Sequence, residues 1–309
     1  MCIRSYLYLL IALTSTVCAC AQATLTTNTQ TDAYLNQYRT DFARCLLDAR
    51  SERLLGYWAD DVRLMTESQR TMVGRTSALS YFNALLGRFT VKAYTRIQKE
   101  LLDLGKQVVD DGLFDMTIVL KKTGQTYHLK GKYLTLWQKY NGDKLTVITD
   151  SWNYNHWLDI ADQFRFAEVS VVDVALQAHL PINSPIRFEL AALNRLMEKT
   201  IAEHDANLWA QFYSDEGILL AQHDSIYQGR QAIDAYIAMH TKDLPIFEKL
   251  DVRNDRVDDL GLYVIEYASH IANWRNGESS GIGLGKDLRI WRREKNGSLK
   301  IFRHIGMYD

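Results

Sequence analysis

Three polar residues near the C-terminal end of the sequence have the types and spacing that acid–base chemistry requires. Asp287 and Arg289 are two residues apart in the stretch GKDLRIW. A strand alternates its faces, so both side chains would share one face with Trp291. If that face lines a partly dry pocket, Asp287 would be an acid or an anion-binding group and His304 a nearby base. The alternative is a simple ion pair on a hydrated face.

A second candidate is the adjacent pair Asp60 and Asp61 in the stretch WADDVRLMTESQRTMVGR, residues 58–75. Neighbouring side chains diverge, so these carboxylates are poorly placed to share a proton or bind one ion. Carboxylates at such a turn commonly accept backbone N–H bonds or pair with a cation such as Arg75. We therefore interpret the pair as structural.

The same stretch reveals an internal repeat. It recurs without a gap at residues 213–230, an offset of 155 residues, and GKYLTLW at 131–137 matches GKDLRIW at 285–291 at an offset of 154. Two copies of one domain therefore account for most of the chain. We place the domains at 31–157 and 186–309.

Each copy has helical spacing of apolar residues first and strand patterns afterwards. A glycine, Gly74 or Gly229, turns the chain into a third helix, which carries Tyr81 or Tyr236. The sequence therefore predicts an α+β fold in which three N-terminal helices pack on a strongly curved antiparallel sheet. Residues 158–185 are predicted to form a structured connector that contains a strand.

This order of elements resembles the nuclear transport factor 2-like superfamily, and within it the SnoaL-like and ketosteroid isomerase-like groups. The resemblance implies two cone-shaped domains, each with a pocket open at one end. In the isomerase-like group the general base would fall on Thr66 or Ala221, and neither side chain can take a proton. The phenolic donor would fall on Phe42 or Met197, which are also unsuitable.

The remaining position of that chemistry, a carboxylic acid on a long strand, corresponds to Tyr133 and Asp287. Strand alternation adds neighbours on the same faces. The expected pocket residues are Tyr81, Tyr133, Thr135, Trp137, Tyr236, Arg289 and Trp291.

The opposite faces of these strands are apolar as well, with Leu134 and Leu136 in one copy and Leu288 and Ile290 in the other. Apolar residues on both faces indicate that the outer sheet surface is covered. We expect the two domains to pack sheet to sheet as an intramolecular pseudo-dimer.

Composition excludes several classes of partner and cofactor. The chain has 36 basic and 37 acidic residues, so no strong field favours nucleic acid. Its histidines and cysteines form no metal-binding motif, and the glycines at 281–285 precede no helix that could bind a dinucleotide. We expect no metal and no cofactor.

Residues 1–21 are predicted to be a signal peptide, because Arg4 precedes an apolar run too short to span a bilayer. Cleavage by the ordinary signal peptidase is one alternative. The other is a lipobox that ends at Cys20 and leaves this cysteine lipidated. Either route predicts an exported bacterial protein, periplasmic or held at the membrane only by a lipid anchor.

Three functions remain open. The leading hypothesis is binding of a small, largely apolar molecule in a cone pocket, because the best-known proton-transfer positions are vacant. The second is a metal-free isomerase, cyclase or hydrolyase-type enzyme acting in the second domain through Asp287. The third is a non-catalytic protein-interaction module.

Overall fold

The computed structural model describes residues 29–140 and 144–309. The predicted signal peptide and Cys20 lie outside the described residues. Within the described part of the chain, no helix is both long enough and apolar enough to cross a bilayer.

The first domain begins with helix α1, which buries a stripe of residues spaced three or four apart, including Leu35, Tyr38 and Phe42. A single 3-10 turn, Ser51–Leu54, stands where a short helix was expected. The elements of this domain are α1 (Thr29–Leu47), β1 (Trp58–Thr66), β2 (Met72–Val73), α2 (Arg75–Arg88), β3 (Phe89–Asp103), β4 (Gln107–Leu120), β5 (Thr126–Lys139) and β6 (Leu145–Tyr154).

The second domain repeats this order. Its first helix starts with a proline, and Ser184 caps it by accepting the Arg187 N–H. Asp205 caps the next helix, as its sequence predicts, by accepting the Leu208 N–H at 2.9 Å. The elements are α3 (Pro185–Ala202), α4 (Ala206–Ala210), β7 (Tyr213–Leu220), β8 (Ile226–Gln228), α5 (Arg230–His240), β9 (Ile246–Asp259), β10 (Tyr263–Asn276), β11 (Ser279–Arg293) and β12 (Leu299–Tyr308).

Each domain contains a six-stranded sheet, in the order β2-β1-β6-β5-β4-β3 and its counterpart β8-β7-β12-β11-β10-β9. The predicted α+β class is confirmed. All pairs are antiparallel except the first long strand with the last, β1 with β6 and β7 with β12, which run parallel. Register shifts interrupt several ladders, and such bulges increase the local bend of a sheet.

The outer faces of the two sheets pack against each other. Leu134 and Leu136 of the first domain share one apolar cluster with Leu288 and Ile290 of the second, and all four are fully buried. Removing such a face from water stabilises the folded state by about 25 cal/mol per Å² of apolar area buried. The two sheets therefore share a single core between the domains.

Two backbone hydrogen bonds, at equivalent positions of the repeat, join the last strand of each sheet to a loop of the other domain. Ser68 N–H donates to Tyr308 O at 2.9 Å, and His223 N–H donates to Tyr154 O at 2.8 Å. Ser68 and His223 both have positive φ, 68° and 58°, an uncommon conformation outside glycine. The repeat therefore extends to the backbone conformation of the contact loops.

The connector does not contain the predicted strand. It forms two 3-10 turns, Ala161–Phe164 and Val174–Leu176, and one isolated bridge between Thr71 and Val172. Its alternating apolar residues serve another purpose, because Phe164 stacks on Phe89 of the first domain at 5.0 Å between ring centroids. The periodicity reflects packing onto a domain rather than pairing in a sheet.

Candidate functional site

The concave face of the second sheet carries a carboxylate held by three cationic or titratable groups. Asp287 lies 2.8 Å from His304 Nε2 and 3.1 Å from His270 Nδ1, and the Arg289 guanidinium donates to it at 2.9 Å. The side chains come from three adjacent strands, β10, β11 and β12. The structure thus brings together the three residues that the sequence singled out, and adds His270.

This environment fixes the ionisation of the carboxylate. Burial alone would raise the pKa of Asp287, but Arg289 and the hydrogen bonds from His270 and His304 hold that pKa well below its usual range. Burial lowers the pKa of His304 despite the nearby carboxylate. An ionised Asp287 next to a neutral His304 is therefore the expected state near neutral pH.

A tyrosine completes the arrangement around His304. Tyr213, at the start of β7, lies 2.7 Å from His304 Nδ1. If Tyr213 donates its hydroxyl proton, Nε2 carries the imidazole proton and donates to Asp287. His304 is then fixed between two partners, whereas the His270 side chain remains 22 % exposed. His270 is thus the imidazole with access to a bound molecule.

A second acidic group lies one step further into the cone. Glu266 accepts from Trp291 Nε1 at 2.8 Å and from Asn194 Nδ2 at 2.6 Å, and Arg289 approaches it at 3.4 Å. Asn194 also accepts from Arg289 at 3.1 Å. Arg289 therefore bridges both carboxylates, Asp287 and Glu266, which is why its charge tolerates burial.

The glycine-rich segment 281–285 makes room for this cluster. A Cβ added at Gly285 would lie 2.4 Å from His270 Nε2, and one at Gly281 would lie 2.9 Å from the Trp274 ring. The glycines let two large rings of β10 lie across β11, a close approach that any side chain would prevent.

A cleft of about 170 Å³ lies beside the cluster, between α3, the inner residues of β9 and the connector. Asn194 lines it and links it to Arg289 and Glu266. Val252 in its wall is the direct cross-strand partner of His270. The cleft therefore reaches the second cone from the β9 edge of the sheet.

The first cone holds a different buried polar group. Arg96 pairs with Asp150 at 3.0 Å, and Asp150 also accepts from Thr135 at 2.7 Å and from Tyr38 at 3.3 Å. In this cone Asp150 is the cross-strand partner of Thr135, as His304 is of Arg289 in the second. The two domains thus keep polar positions in register but fill them with different chemistry.

Aromatic rings occupy the rest of the first cone. The Arg96 guanidinium lies 4.0 Å from the Phe42 ring centroid and 4.5 Å from that of Tyr133. The cavity beside Arg96 and Tyr81 has only about 30 Å³, enough for a water or two. The first cone is therefore filled by its own side chains.

The other residues expected in a pocket are placed as follows. Tyr133, Thr135 and Trp137 lie on the concave side as predicted, but they are fully buried and do not line the small cavity. Tyr236 packs against Tyr227 at 4.4 Å and has no hydrogen bond to the Asp287 cluster within the described residues.

The acidic pair of the opening repeat is structural, as we interpreted it. Arg75 pairs with Asp60 at 3.0 Å, and Arg230 pairs with Asp215 at the same distance. Both guanidinium groups also bond to backbone carbonyls on the first strand or just before it, including that of Ala210. These contacts tie α2 and α5 to the edges of their sheets.

A further titratable cluster lies between the domains. Glu67 Oε1 lies 2.6 Å from His223 Nε2, and the other carboxylate oxygen accepts the Tyr154 N–H at 2.8 Å. Burial lowers the pKa of the neighbouring Lys132 to about 8, with Glu67 opposing that effect. Trp157 covers His223 with ring centroids 3.6 Å apart. These groups lock the two domains together at the junction.

Sequence reasoning gave little weight to several residues of the second cone. Asn194 falls on the buried stripe of α3 between Leu190 and Met197, and Glu266 is the single carboxylate in the apolar run YVIEYAS. A polar residue on a buried face needs a partner. That rule predicts a partner for each of these side chains, but it cannot predict that Asn194 and Glu266 are each other's partners.

The described residues contain no group of three or more histidine, cysteine or acidic side chains with the geometry to hold a metal ion. Both imidazoles near Asp287 are engaged in hydrogen bonds to its carboxylate. What the arrangement can do is donate, accept and hold protons.

No protein-family model matches the sequence, and no curated protein is similar to it. Solved structures do match. A ketosteroid isomerase-like protein from Erwinia carotovora atroseptica is 14 % identical, with a TM-score of 0.38, over 41 % of this chain and 98 % of its own. A nuclear transport factor 2-like superfamily protein from Salmonella enterica is 12 % identical, with a TM-score of 0.37, over 41 % and 93 %. A conserved protein from Planctomyces limnophilus is 10 % identical, with a TM-score of 0.37, over 40 % and 95 %.

The Erwinia and Salmonella proteins bear the names of the superfamily that the sequence resembles. Each spans about two fifths of this chain, the length of one of its two domains. Matches at this level of identity say nothing about activity, which has to be argued from the site.

Proposed function

We propose that the second domain binds a small molecule on the concave face of its sheet and transfers a proton on it, as a metal-free enzyme of the isomerase or lyase type. One observation supports this proposal above all others. The buried Asp287 carboxylate contacts two imidazoles, and one of them, His270, is partly exposed. The first domain has Tyr133 at the equivalent position and a filled cone.

In this mechanism His270 is the general base and Asp287 the group that positions it. A hydrogen bond from Nδ1–H to Asp287 leaves the other ring nitrogen with its lone pair. When His270 takes a proton, the adjacent carboxylate stabilises the imidazolium. Arg289 keeps Asp287 ionised, and His304 fixes the second carboxylate oxygen. A positioned base of this kind contributes about 10²- to 10⁴-fold to a rate.

Proton transfer can be measured before the natural substrate is known. The purified protein is incubated in D₂O with a panel of small ketones and hydroxy acids, and deuterium incorporation is followed by mass spectrometry. We expect incorporation above the buffer rate for at least one compound and a fall of about 10²-fold or more in His270→Gln. The matched control is His128→Gln, an exposed strand histidine of the first domain. Equal rates in the wild type and His270→Gln would contradict the proposal.

Binding without chemistry is the second candidate. It is favoured by the complete pairing of Asp287, whose two oxygens both have partners. In that case the ligand would be the small, largely apolar molecule expected from the sequence, and it would copurify with the protein. Mass spectrometry of the native protein would detect it, while the exchange assay would show no incorporation.

The sequence of residues 1–21 supports export as part of this proposal. Cell fractionation of the full-length protein and of Cys20→Ser tests it. A lipoprotein would be found in the membrane fraction as the wild type and would leave that fraction as Cys20→Ser. A protein released by the ordinary signal peptidase would be found in the soluble periplasmic fraction with either sequence. Retention of both proteins in the cytoplasm would refute export.

A further inference from the structure

The cleft beside the second cone has two walls and a roof. One face of α3 and the inner residues of β9 form the walls, and residues 179–182 of the connector form the roof. The residues around it are His179, Leu180, Ile182, Arg187, Ala191, Asn194, Arg195, Glu198, Asp251, Val252, Asn254 and Val257. Three elements thus build one site.

One cation in this cleft is left to a ligand. Within the described residues Arg195 has no hydrogen bond and no ion pair, although its charge opposes the rise that burial causes in the pKa of Glu198, one helical turn away. The other basic side chains are engaged, because Arg187 donates to Asn183 at 3.0 Å and His179 lies 3.0 Å from Asp251. A guanidinium that has no hydrogen-bond partner at a cleft rim suits a carboxylate, which it can bind through two parallel hydrogen bonds.

Two acceptors of the cleft have room for a hydrogen-bond donor. Asn254 Oδ1 is buried and has no partner within the described part of the chain. Glu198 accepts the Val252 N–H at 2.6 Å through one oxygen and leaves the other available. A buried acceptor without a donor costs about 1–3 kcal/mol. A ligand that carries an amino or hydroxyl group would supply the missing donor.

The remaining walls are apolar. Leu180 and Ile182 of the connector face the cleft together with Ala191, Val252 and Val257. Ile182 is 53 % exposed, so a ligand seated under the connector would cover apolar surface that now contacts water. The body of the ligand should therefore be hydrocarbon.

We infer that this cleft binds a small carboxylic acid with an apolar body and a hydrogen-bond donor next to the carboxylate, that is, an apolar α-amino acid or α-hydroxy acid. Arg195 holds the carboxylate, Asn254 and Glu198 accept from the amino or hydroxyl group, and the connector covers the hydrocarbon part. The inference rests on the proposed function, because Asn194 links this cleft to the Asp287 cluster. It adds the class of substrate.

Calorimetric titration of the full chain with L-leucine and with leucic acid, its α-hydroxy analogue, tests the inference. Leucinamide lacks the carboxylate, isocaproate lacks the donor and glycine lacks the apolar body. We expect each deletion to weaken binding about 10- to 100-fold, the usual effect of losing a hydrogen bond to a charged group or a buried apolar contact. Preference for leucine over leucic acid, or the reverse, identifies which donor the site takes.

Variants locate the binding. Arg195→Met should weaken leucine binding about 10-fold or more, and Asn254→Leu should bring leucine and isocaproate to similar affinity. Lys199→Met is the matched control, since Lys199 is exposed on the same helix and, among the residues that the structure describes, pairs only with Glu203.

The two proposals can fail separately. No binding of leucine or leucic acid at up to about 10 mM, or an unchanged affinity in Arg195→Met, would overturn the inference about the cleft. The deuterium-exchange result with His270→Gln would still decide the proposed function. Tight leucine binding without any exchange would instead support a binding protein and leave the cleft assignment in place.

Discussion

Replacing Arg96 by methionine should destabilise the first domain by about 3 kcal/mol, because this change strands a buried carboxylate. The side chains of Arg96 and Asp150 are 2 % and 1 % exposed, and removing one partner of such a pair costs about 3–5 kcal/mol. Asp150 keeps its hydrogen bonds from Thr135 and Tyr38, which argues for the lower end of that range. The expected fall in melting temperature is roughly 6–12 °C.

The assay is urea unfolding followed by tryptophan fluorescence, with a thermal melt in parallel. Arg53→Met is the control, since Arg53 forms an exposed pair with Asp48 that should contribute about 0–1 kcal/mol. The double variant Arg96→Met with Asp150→Asn should recover part of the loss, because it leaves no buried charge unpaired. A loss below about 1 kcal/mol in the single variant would refute the reasoning.

Three further predictions follow from the buried groups and the interface. Residues 31–157 or 186–309 expressed alone should aggregate or dimerise, because each half exposes the apolar sheet face; a monomeric, folded half in analytical ultracentrifugation would contradict this. Burial raises the pKa of Asp110 to about 6, with Arg39 opposing it, from 3.8 in the unfolded chain. The folded state thus binds this proton more tightly than the unfolded chain does. About 3 kcal/mol of the free energy of unfolding, present below pH 4, should therefore be lost as pH rises through 6. Urea unfolding measured over this pH range should show that loss in the wild type and not in Asp110→Asn. Gly285→Ala should displace the ring beside it and cut deuterium exchange at least tenfold with little loss of fold by circular dichroism; an unchanged exchange rate would count against the catalytic role of that ring.

The fold could be predicted from the sequence because its motifs occur twice in the same order. The stretch 58–75 and its copy at 213–230 place the same turn, strand and helix in both halves, and the structure has them in both. The connector was harder to predict. Its alternating apolar residues, Phe164 among them, imitate a strand, yet they pack onto a domain surface that local periodicity cannot reveal.

Only part of the candidate site could be predicted from the sequence. Strand alternation brought Asp287 and Arg289 to one face, and the repeat aligned His304 with Asp150, both of which hold in the structure. Periodicity along one strand, however, does not tell which residues of the neighbouring strands lie opposite. The contacts of Glu266 and Asn194 with Arg289 depend on register and helix placement, and these are tertiary properties.

The two cones differ in how they accommodate their buried charges. Each cone has a carboxylate at the corresponding position of its sheet. Asp110 lies opposite Thr135 in the first sheet, and Glu266 lies opposite Arg289 in the second. In the first cone aromatic rings close around the charges, which stabilises the fold but leaves no room for a ligand. The second cone keeps its charged cluster beside an open cleft, and such a cluster is costly to stability unless every partner stays in place.

The shared sheet-to-sheet core offsets that cost. Arg303 of the second domain pairs with Glu100 of the first at 2.5 Å, directly beside His304 in sequence. Its backbone is therefore anchored by the neighbouring domain next to the residue through which β12 contacts Asp287. Loosening this ion pair, for example with Glu100→Gln, should reduce proton transfer more than leucine binding, because Arg303 lies on the strand of His304 and outside the cleft. An equal loss of both would show that the first domain supports the whole second domain rather than its proton-transfer cluster.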